Sequence, residues 1–412
     1  MARPYRYGID FFLCTERDCK AKHWYDAPKC KACGVVGPLL KVRGGADAMA
    51  KAEVELARLE LTRKKLKPFS VKDLLSSGST LLNLACSGRV NGAFLKGRYY
   101  YFIGDSASGK TWLTWTCLAE ASINPAFDDY RFIMDDVEGG SLMNIEKFFG
   151  VKVARRVESP HPKGRSSTTI EDFYYNIDDA LNDGRPFIYI LDSMDALDSE
   201  DAEKKFLQQK ASQRKVRKTG TEDKVAGSYG DGKAKKNSQN IRRVHNRLKK
   251  SGSILIVISQ TRDNIGFTAK FDPKTRGGGK ALKFYAAHEI WSSIKGRIKK
   301  TVNGKPRKVG IYSKCDVKKN RLTGEEASVE IPIYTSFGID DVGSCVDYLI
   351  MEGHWNETRK IVNATDFEFE GSREKLVRHI EKNNLEKELR ILVADMWDEI
   401  KAGCAIKRKS RY

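Results

Sequence analysis

The chain has 412 residues, enough for two or three domains of ordinary size, and with 40% hydrophobic residues it can bury a real core, which excludes wholesale disorder. Its formal net charge of +20 points to a polyanionic partner. No apolar run approaches the roughly 18 residues of a membrane-spanning helix, and the N-terminus MARPYRYGIDFFLC has no apolar signal region, so we expect a cytoplasmic protein without a membrane partner.

Four of the nine cysteines lie within residues 1–44, with the spacing C-x4-C-x10-C-x2-C. In a reducing compartment, clustered cysteines more often bind metal than pair with one another. Four thiolates from two short pairs can form the closed tetrahedral site of structural zinc. The predicted Zn²⁺ ligands are Cys14, Cys19, Cys30 and Cys33, and His23 is an alternative ligand. A region this small would need the metal to fold, so we predict a zinc-binding module over residues 1–44.

Three further regions follow the cysteine cluster. Residues 45–67 are rich in Ala, Leu, Glu and Lys and predict a connecting helix. Residues 68–355 contain the apolar runs YYYFI, RFIMD, FIYIL and ILIVIS, separated by segments long enough for crossover helices. This alternation predicts an α/β fold with a mainly parallel, doubly wound sheet. Residues 356–412 are charged, have a helical pattern and end in the basic tail KRKSRY, which predicts a helical basic C-terminal region.

A phosphate-binding loop follows the first apolar run. The segment GDSASGKT fits G-x-x-x-x-G-K-[ST] in full and precedes the helical stretch WLTWTCLAEA, which is the context that the P-loop motif requires. Its glycines let backbone N–H groups face phosphate oxygens, and the following helix N-terminus adds positive potential. Lys110 would reach the β- and γ-phosphates of ATP, and Thr111 would offer its hydroxyl to Mg²⁺. The predicted nucleotide-binding residues are Gly104, Asp105, Ser106, Ala107, Ser108, Gly109, Lys110 and Thr111.

A carboxylate is predicted to complete the magnesium site. The run FIYILD ends in Asp192 after four residues of buried type. In open α/β sheets, ligands bind at the carboxyl ends of the strands, so an acid there lies close to the P-loop. Asp192 is therefore the expected partner of Thr111 around Mg²⁺.

The positive charge is concentrated in two zones. Residues 199–250 carry 16 Lys and Arg against 6 Asp and Glu, and residues 293–321 carry 11 against 1, so each zone has a net charge of +10. The rest of the chain sums to zero. Two local basic zones favour a nucleic-acid track. Solvated loops without any partner are the alternative explanation.

Several segments resemble the RecA family of ATPases over roughly residues 74–355. Besides the P-loop, the resembling segments are SSGSTLLNLAC (76–86), DVEGG (136–140), LDSMDAL (191–197), ISQTRDNIG (258–266), GGGKALKFYAAHEIW (277–291) and IPIYTSFGIDDVGSCVDYLIMEGHW (331–355). The most specific is ALKFYA, which bacterial RecA proteins share. The resemblance implies a RecA-like P-loop NTPase core that uses ATP and Mg²⁺.

Roles in ATP hydrolysis follow from the resemblance, residue by residue. The family's catalytic acid, which orients the attacking water, corresponds best to Glu138, although Asp135 and Asp136 compete for the role. Gln260 resembles the amide that senses the γ-phosphate and passes its presence into the following loop. Lys283, Lys319 and Arg321 resemble basic residues that reach the nucleotide of a neighbouring subunit.

Two DNA-facing loops are also implied. Residues 261–280 match the family's second DNA loop, with the phosphate-facing residues Arg262, Lys270, Lys274, Arg276 and Lys280 and with Phe267 or Phe271 to stack on bases. Residues 214–236 lie where the first DNA loop belongs, but this segment is longer and far more basic than the family pattern. Its individual DNA contacts cannot be assigned from the sequence.

The leading hypothesis is therefore an ATP-dependent DNA recombinase that forms filaments on single-stranded DNA and pairs it with homologous duplex. A ring-shaped motor on branched DNA, similar to RadA, is an alternative, because RadA-type relatives carry an N-terminal zinc finger and a motif that KKNRLTG (318–324) partly resembles. A regulatory ATPase of the same fold that needs no DNA is a third reading. The extra N-terminal module and the unusual first loop suggest a divergent member, such as one from a virus or a mobile element.

Overall fold

The computed structural model describes residues 69–219, 231–263, 274–277, 279–406 and 408, and the backbone of three short N-terminal strands. The chain divides into two compact units. The core unit comprises Leu75–Ser87 and Ala93–Asp341, and the terminal unit comprises Met1–Leu74, Gly88–Gly92 and Val342–Tyr412.

In chain order, the strands of the described residues are β1 (Phe11–Leu13), β2 (Lys22–His23), β3 (Leu40–Val42), β4 (Leu74–Leu75), β5 (Phe94–Leu95), β6 (Tyr99–Gly104), β7 (Arg131–Asp136), β8 (Val157–Glu158), β9 (Phe187–Asp192), β10 (Ile254–Asp263), β11 (Lys274–Arg276), β12 (His288–Val302), β13 (Lys305–Asn320), β14 (Ala327–Tyr334), β15 (Gly338–Ile339), β16 (Asn356–Thr358), β17 (Ile361–Ala364) and β18 (Phe369–Gly371). The helices are α1 (Thr80–Ser87), α2 (Lys110–Ile123), α3 (Ile145–Phe149), α4 (Val151–Arg156), α5 (Ile170–Asn182), α6 (Glu200–Thr219), α7 (Asp231–Ser251), α8 (Lys280–Tyr285), α9 (Asp341–Met351), α10 (Arg373–Lys382) and α11 (Glu386–Cys404). None of these helices combines the length and apolarity needed to span a membrane.

One large sheet forms the centre of the core unit. Its strands follow the order β15-β14-β13-β12-β6-β10-β9-β7-β8, and β11 pairs with the far end of β10. The neighbours from β12 to β8 are parallel, whereas β12 to β15 are joined by antiparallel ladders. All four apolar runs form strands of the parallel part, so the predicted parallel α/β sheet is confirmed. The antiparallel extension makes the whole sheet mixed.

Helices cover both faces of this sheet. On one face, Tyr99 and Tyr101 of β6 are fully buried in a cluster that includes residues of α5, α7 and α8. On the opposite face, Tyr100 and Phe102 pack around Phe94, whose ring centroid lies 4.8 Å from that of Tyr100. There α1 packs on β13 and β14, and α2 packs on β6 and β15. Because every second side chain of a strand faces the same side, this double burial explains why β6 is an unbroken apolar run.

The basic segment 214–236 is not one long loop. Its first residues belong to α6 and its last residues to α7, and residues 220–230 between them lie outside the described part of the chain. Lys, Arg, Gln and Ala are good helix formers, which explains why both helices extend into the segment. On α7, Ile241, Val244 and Leu248 are buried in the core, so this helix also anchors the basic segment to the sheet.

The charge pattern predicts a helical C-terminal region, but this prediction is only partly right. Residues 356–371 form the antiparallel sheet β16-β17-β18, and only then do α10 and α11 follow. In β17 the exposed and buried residues alternate, so that Val362 and Ala364 face the interior of the terminal unit with Leu376 of α10. Three- and four-residue strands are too short for this alternation to stand out among charged residues.

In the N-terminal region, β1 pairs in antiparallel fashion with both β2 and β3. The predicted zinc ligands Cys14, Cys19, Cys30 and Cys33 lie outside the described residues, as does the predicted connecting helix at 45–67. In the part of the chain that the structure describes, no group of His, Cys, Asp and Glu is arranged to hold a metal ion by itself.

Candidate nucleotide site

The P-loop joins the end of β6 to the start of α2. A Cβ atom on Gly104 would lie only 2.1 Å from Ser292 Oγ, and Gly109 has a left-handed φ of 96°. Both positions therefore require glycine. The Lys110 Nζ atom donates hydrogen bonds to the carbonyl oxygens of Gly104 (2.8 Å) and Asp105 (2.7 Å), and burial lowers its pKa. The Lys110 side chain thus folds back over the P-loop, where the phosphates of a nucleotide would bind.

Thr111 and Asp192 meet beside this loop, as the sequence predicts for a magnesium site. Thr111 Oγ1 donates a hydrogen bond of 2.7 Å to Asp192 Oδ2. Burial raises the pKa of Asp192 to about 6, although the bond from Thr111 opposes the shift. The nearby Glu138 and Asp136 carboxylates add to the rise in the pKa of Asp192, and the Lys110 ammonium opposes it. A hydroxyl and a buried carboxylate next to a phosphate-binding loop are the donor set that suits Mg²⁺, so the residues present fit this ion.

The three competing acids at the end of β7 occupy different environments. Asp135 is fully buried and accepts hydrogen bonds from the backbone and hydroxyl of Ser167 and from the Tyr189 hydroxyl, and burial raises its pKa. Asp136 accepts bonds from the backbone N–H groups of Gly140 (3.1 Å) and Ser141 (2.9 Å), and so closes the turn that follows the strand. Both carboxylates serve local structure.

Glu138 differs, because its carboxylate contacts the ends of two other strands. Glu138 Oε1 accepts hydrogen bonds from Ser193 Oγ, just past β9, and from Gln260 Nε2 on β10 at 3.0 Å. Its backbone is held as well, since the N–H groups of Val137 and Glu138 both point at the Asp192 carbonyl oxygen. In the ladders, Gln260 pairs with Gly104 of the P-loop strand. The structure therefore brings Glu138, Gln260, Asp192 and the P-loop together.

Asp195 is a residue of this site that the sequence did not reveal. Its Oδ2 atom accepts hydrogen bonds from Ser259 Oγ and from the Gln260 backbone N–H at 2.7 Å, and its Oδ1 atom accepts one from Arg262 Nη2 at 3.1 Å. A Cβ atom on Gly277 would lie 2.1 Å from Asp195 Oδ1. Asp195 thus joins the segment after β9 to β10 and lies against Gly277, the residue that follows β11. In the sequence, the available signal for Asp195 was the second acidic residue of LDSMDAL, three positions after Asp192.

Three basic residues that are predicted to reach the nucleotide of a neighbouring subunit lie together at a different place in the core unit. Lys319 Nζ donates to the carbonyl oxygen of Phe284, and Arg321 Nη2 donates to the same oxygen, while Lys283 Nζ lies 3.7 Å from Glu289 Oε2. Lys319 pairs with Glu289, and Glu289 pairs with Tyr101 of β6, three residues before the P-loop strand ends. Three residues of strand span about 10 Å, so this cluster lies away from the P-loop of its own chain.

The residues predicted to contact DNA through the second loop lie around β10 and β11. Lys274 and Arg276 are on β11, whose antiparallel pairing with residues 261–263 forms the stem of this hairpin. The exposed Arg262 is paired with Asp195, and Lys280 begins α8. Residues 264–273, including Lys270, Phe267 and Phe271, lie outside the described residues.

Comparisons with known proteins agree with this architecture. The family model of the RecA N-terminal domain matches residues 214–340. The chain is 25% identical to a Protein RecA of Thermus thermophilus over 358 residues, which cover 86% of this chain and 94% of that protein. It is 28% identical to a Protein RecA of Prochlorococcus marinus over 296 residues, 69% of each chain. Protein RecA of Ectopseudomonas oleovorans is 27% identical over 281 residues, 68% of this chain and 70% of that protein. These matches and the P-loop sheet together show that the chain is similar to RecA proteins over most of its length.

Proposed function

We propose that this protein is a DNA-dependent ATPase that assembles on single-stranded DNA and promotes homologous pairing and strand exchange. The contact between Glu138 and Gln260 carries the proposal, because it joins the acid beside the nucleotide site to the strand that leads into the predicted DNA loop. The relatives named Protein RecA support a recombinase rather than another P-loop enzyme.

The nucleotide would bind through the P-loop backbone and Lys110. On binding, the Lys110 ammonium would exchange its bonds with the Gly104 and Asp105 carbonyl oxygens for phosphate oxygens. Thr111 and Asp192 would hold Mg²⁺, which supplies positive charge to the β- and γ-phosphates. The Thr111 hydroxyl and the Asp192 carboxylate are already in contact, so the magnesium-binding part of the site needs little rearrangement.

In hydrolysis, the oxygen of a water molecule attacks the γ-phosphorus and the bond to the β–γ bridging oxygen breaks, which yields ADP and phosphate. The Glu138 carboxylate would orient this water and accept its proton. Ser193 and Gln260 both donate to Glu138 Oε1, so they fix the direction of the carboxylate. Asp135 and Asp136 are less suited, because their oxygens are engaged by Ser167, Tyr189 and the turn after β7.

DNA binding would respond to the nucleotide through Gln260. A γ-phosphate offers the Gln260 amide a second acceptor besides Glu138, and a shift of Gln260 moves the backbone that Asp195 holds. The same carboxylate holds Arg262, one of the predicted DNA contacts. The nucleotide would therefore change the position of the hairpin stem and the availability of Arg262.

Assembly is the first test of the proposed function. Electron microscopy with an ATP analogue, with and without single-stranded DNA, is expected to show helical filaments on the DNA. Closed rings would favour a motor on branched DNA instead, and monomers that ignore DNA would favour a regulatory ATPase.

The basic cluster of Lys283, Lys319 and Arg321 is proposed to act on the nucleotide of the neighbouring subunit. Lys110→Ala and the double variant Lys319→Ala, Arg321→Ala should each lose most ATPase activity alone. An equal mixture should recover activity, because about a quarter of the interfaces would combine an intact P-loop with an intact basic cluster. A mixture as inactive as its components would show that the cluster acts within its own chain or only stabilises α8.

Zinc is proposed to be a structural component of residues 1–44. Metal analysis of protein purified without chelators is expected to give about one Zn²⁺ per chain, because four thiolates form a closed tetrahedral site. Cys30→Ser, Cys33→Ser should lose the metal, whereas the matched change Cys404→Ser at an exposed cysteine should keep it. Protein that contains no zinc, or zinc that survives the double change, would contradict the assignment.

A further inference from the structure

The second basic zone forms an arm that extends beyond the sheet. Strand β12 pairs with β6 only over His288–Ser292, and β13 pairs with β14 only over Gly310–Val317. Residues 299–308 pair with each other and close through Asn303 and Gly304, whose φ angles of 53° and 71° are those of a type I′ turn. We call residues 295–308 the basic arm.

The basic arm carries a dense positive charge with almost no compensation. Its seven cations are Lys295, Arg297, Lys299, Lys300, Lys305, Arg307 and Lys308, all of which are exposed. The sequence has no Asp or Glu between Glu289 and Asp316. Lys295 pairs with Glu330. Among the described residues, the six other cations make no ion pair. Opposite charges on neighbouring positions stabilise a hairpin and like charges destabilise it, so a hairpin with cations alone indicates a binding surface for a polyanion.

The register places like charges directly opposite one another. Lys299 faces Lys308 across the ladder, and Lys300 faces Arg307. Like charges at such positions destabilise a hairpin, and a bound polyanion would remove the repulsion. Successive pairs also point to opposite faces of the ribbon, so both faces are cationic. A polyanion that surrounds the arm neutralises the cations on both faces, whereas a polyanion with a flat surface neutralises those on only one face.

We infer that the basic arm is a binding site for duplex DNA and that it inserts into the major groove. A two-stranded ribbon fits this groove, which is about 12 Å wide and lined by phosphates on both sides. The five residues from the end of the β14 ladder to the turn extend about 16 Å, more than the groove depth of about 8.5 Å. Residues 295–308 contain no aromatic side chain for stacking on bases, so single-stranded DNA is the poorer fit.

This inference rests on the proposed function only in taking the polyanion to be DNA, and it assigns the duplex to a surface separate from the second DNA loop.

The test measures binding of a short labelled duplex, and of one of its strands, to the full chain over a range of salt concentrations. The arm variant is Lys299→Gln, Lys300→Gln, Arg307→Gln, Lys308→Gln. The control variant, Lys147→Gln, Lys152→Gln, Arg155→Gln, Lys163→Gln, removes the same charge from exposed positions elsewhere on the core unit.

The arm variant is expected to bind duplex at least about tenfold more weakly than wild type, and its log–log salt slope should decrease by about 3 to 4, one for each lost phosphate contact. Its binding to single-stranded DNA with an ATP analogue should be unchanged. Its melting temperature should not fall, because the change removes repulsion. The control variant should match wild type in all three measurements.

Unchanged duplex affinity and salt slope in the arm variant would overturn the inference, as would an equal loss in the control variant. Loss of binding to a polyglutamate peptide with retained duplex binding would make the arm an acidic-peptide site instead. Competition by a minor-groove ligand but not by a major-groove ligand would overturn the groove assignment. If wild-type protein binds duplex through the arm but shows no nucleotide-linked binding of single strands, the proposed function fails while the arm assignment stands.

Discussion

Glu138→Gln is expected to retain ATP binding and to slow hydrolysis by about a hundredfold or more, because the attacking water loses the base that orients it and accepts its proton. The amide keeps the shape of the side chain and can still accept a bond from Ser193. Lys110→Ala should lose turnover altogether, because its ammonium has no substitute at the β- and γ-phosphates. Nucleotide binding by fluorescence and single-turnover hydrolysis separate these two defects.

The matched control for Glu138→Gln is Asp136→Asn, which removes a charge two residues away. Asp136 accepts bonds from the Gly140 and Ser141 backbone, so its amide should alter the turn and leave most activity intact. The opposite result, normal hydrolysis in Glu138→Gln and none in Asp136→Asn, would transfer the catalytic role to Asp136. Stability measurements on both variants show whether either loss comes from unfolding.

Gln260→Ala should uncouple DNA affinity from the nucleotide while ATP binding persists. In wild type we expect an ATP analogue to tighten binding of single-stranded DNA by about 5- to 150-fold relative to ADP, the usual range for linked sites. Without the Gln260 amide, the γ-phosphate has no contact with β10, so the ratio of the two affinities should fall to about one. Titration with both nucleotides at two salt concentrations measures this ratio.

Gln239→Ala is the matched control, because Gln239 is an exposed glutamine on α7. It should keep the wild-type ratio. A Gln260→Ala protein that still distinguishes ADP from the analogue would show that another residue senses the γ-phosphate. Equal and weak DNA affinity in wild type under all conditions would reject DNA binding itself and favour a regulatory ATPase.

Much of the nucleotide site could be predicted from the sequence because its parts are local. The P-loop is a continuous motif, and Asp192 ends a buried strand whose parallel neighbours bring their carboxyl ends to one edge. The preference for Glu138 over Asp135 and Asp136 also agrees with the contacts of the three side chains. Each inference needed only a strand, its direction and the residue after it.

The remaining features depend on contacts between distant segments. Asp195 acquires its role only where β10, β11 and Gly277 converge, and one acidic residue after a strand predicts none of this. The charge count located the second basic zone, but the pairing of Lys299 with Lys308 depends on the register. The Asn303–Gly304 dipeptide between two β-rich runs was the available signal for that hairpin.

The close approach of Asp195 and Gly277 has a consequence for sequence change. Any residue other than glycine at position 277 would place its Cβ atom inside the space of the Asp195 carboxylate. A substitution at position 277 is therefore conditional on position 195: a larger side chain at 277 becomes acceptable only after the residue at 195 has become small. The two sites are 82 positions apart in the chain, yet a protein that keeps Asp195 must also keep Gly277, and a designer who transfers this hairpin together with Asp195 must transfer the glycine as well.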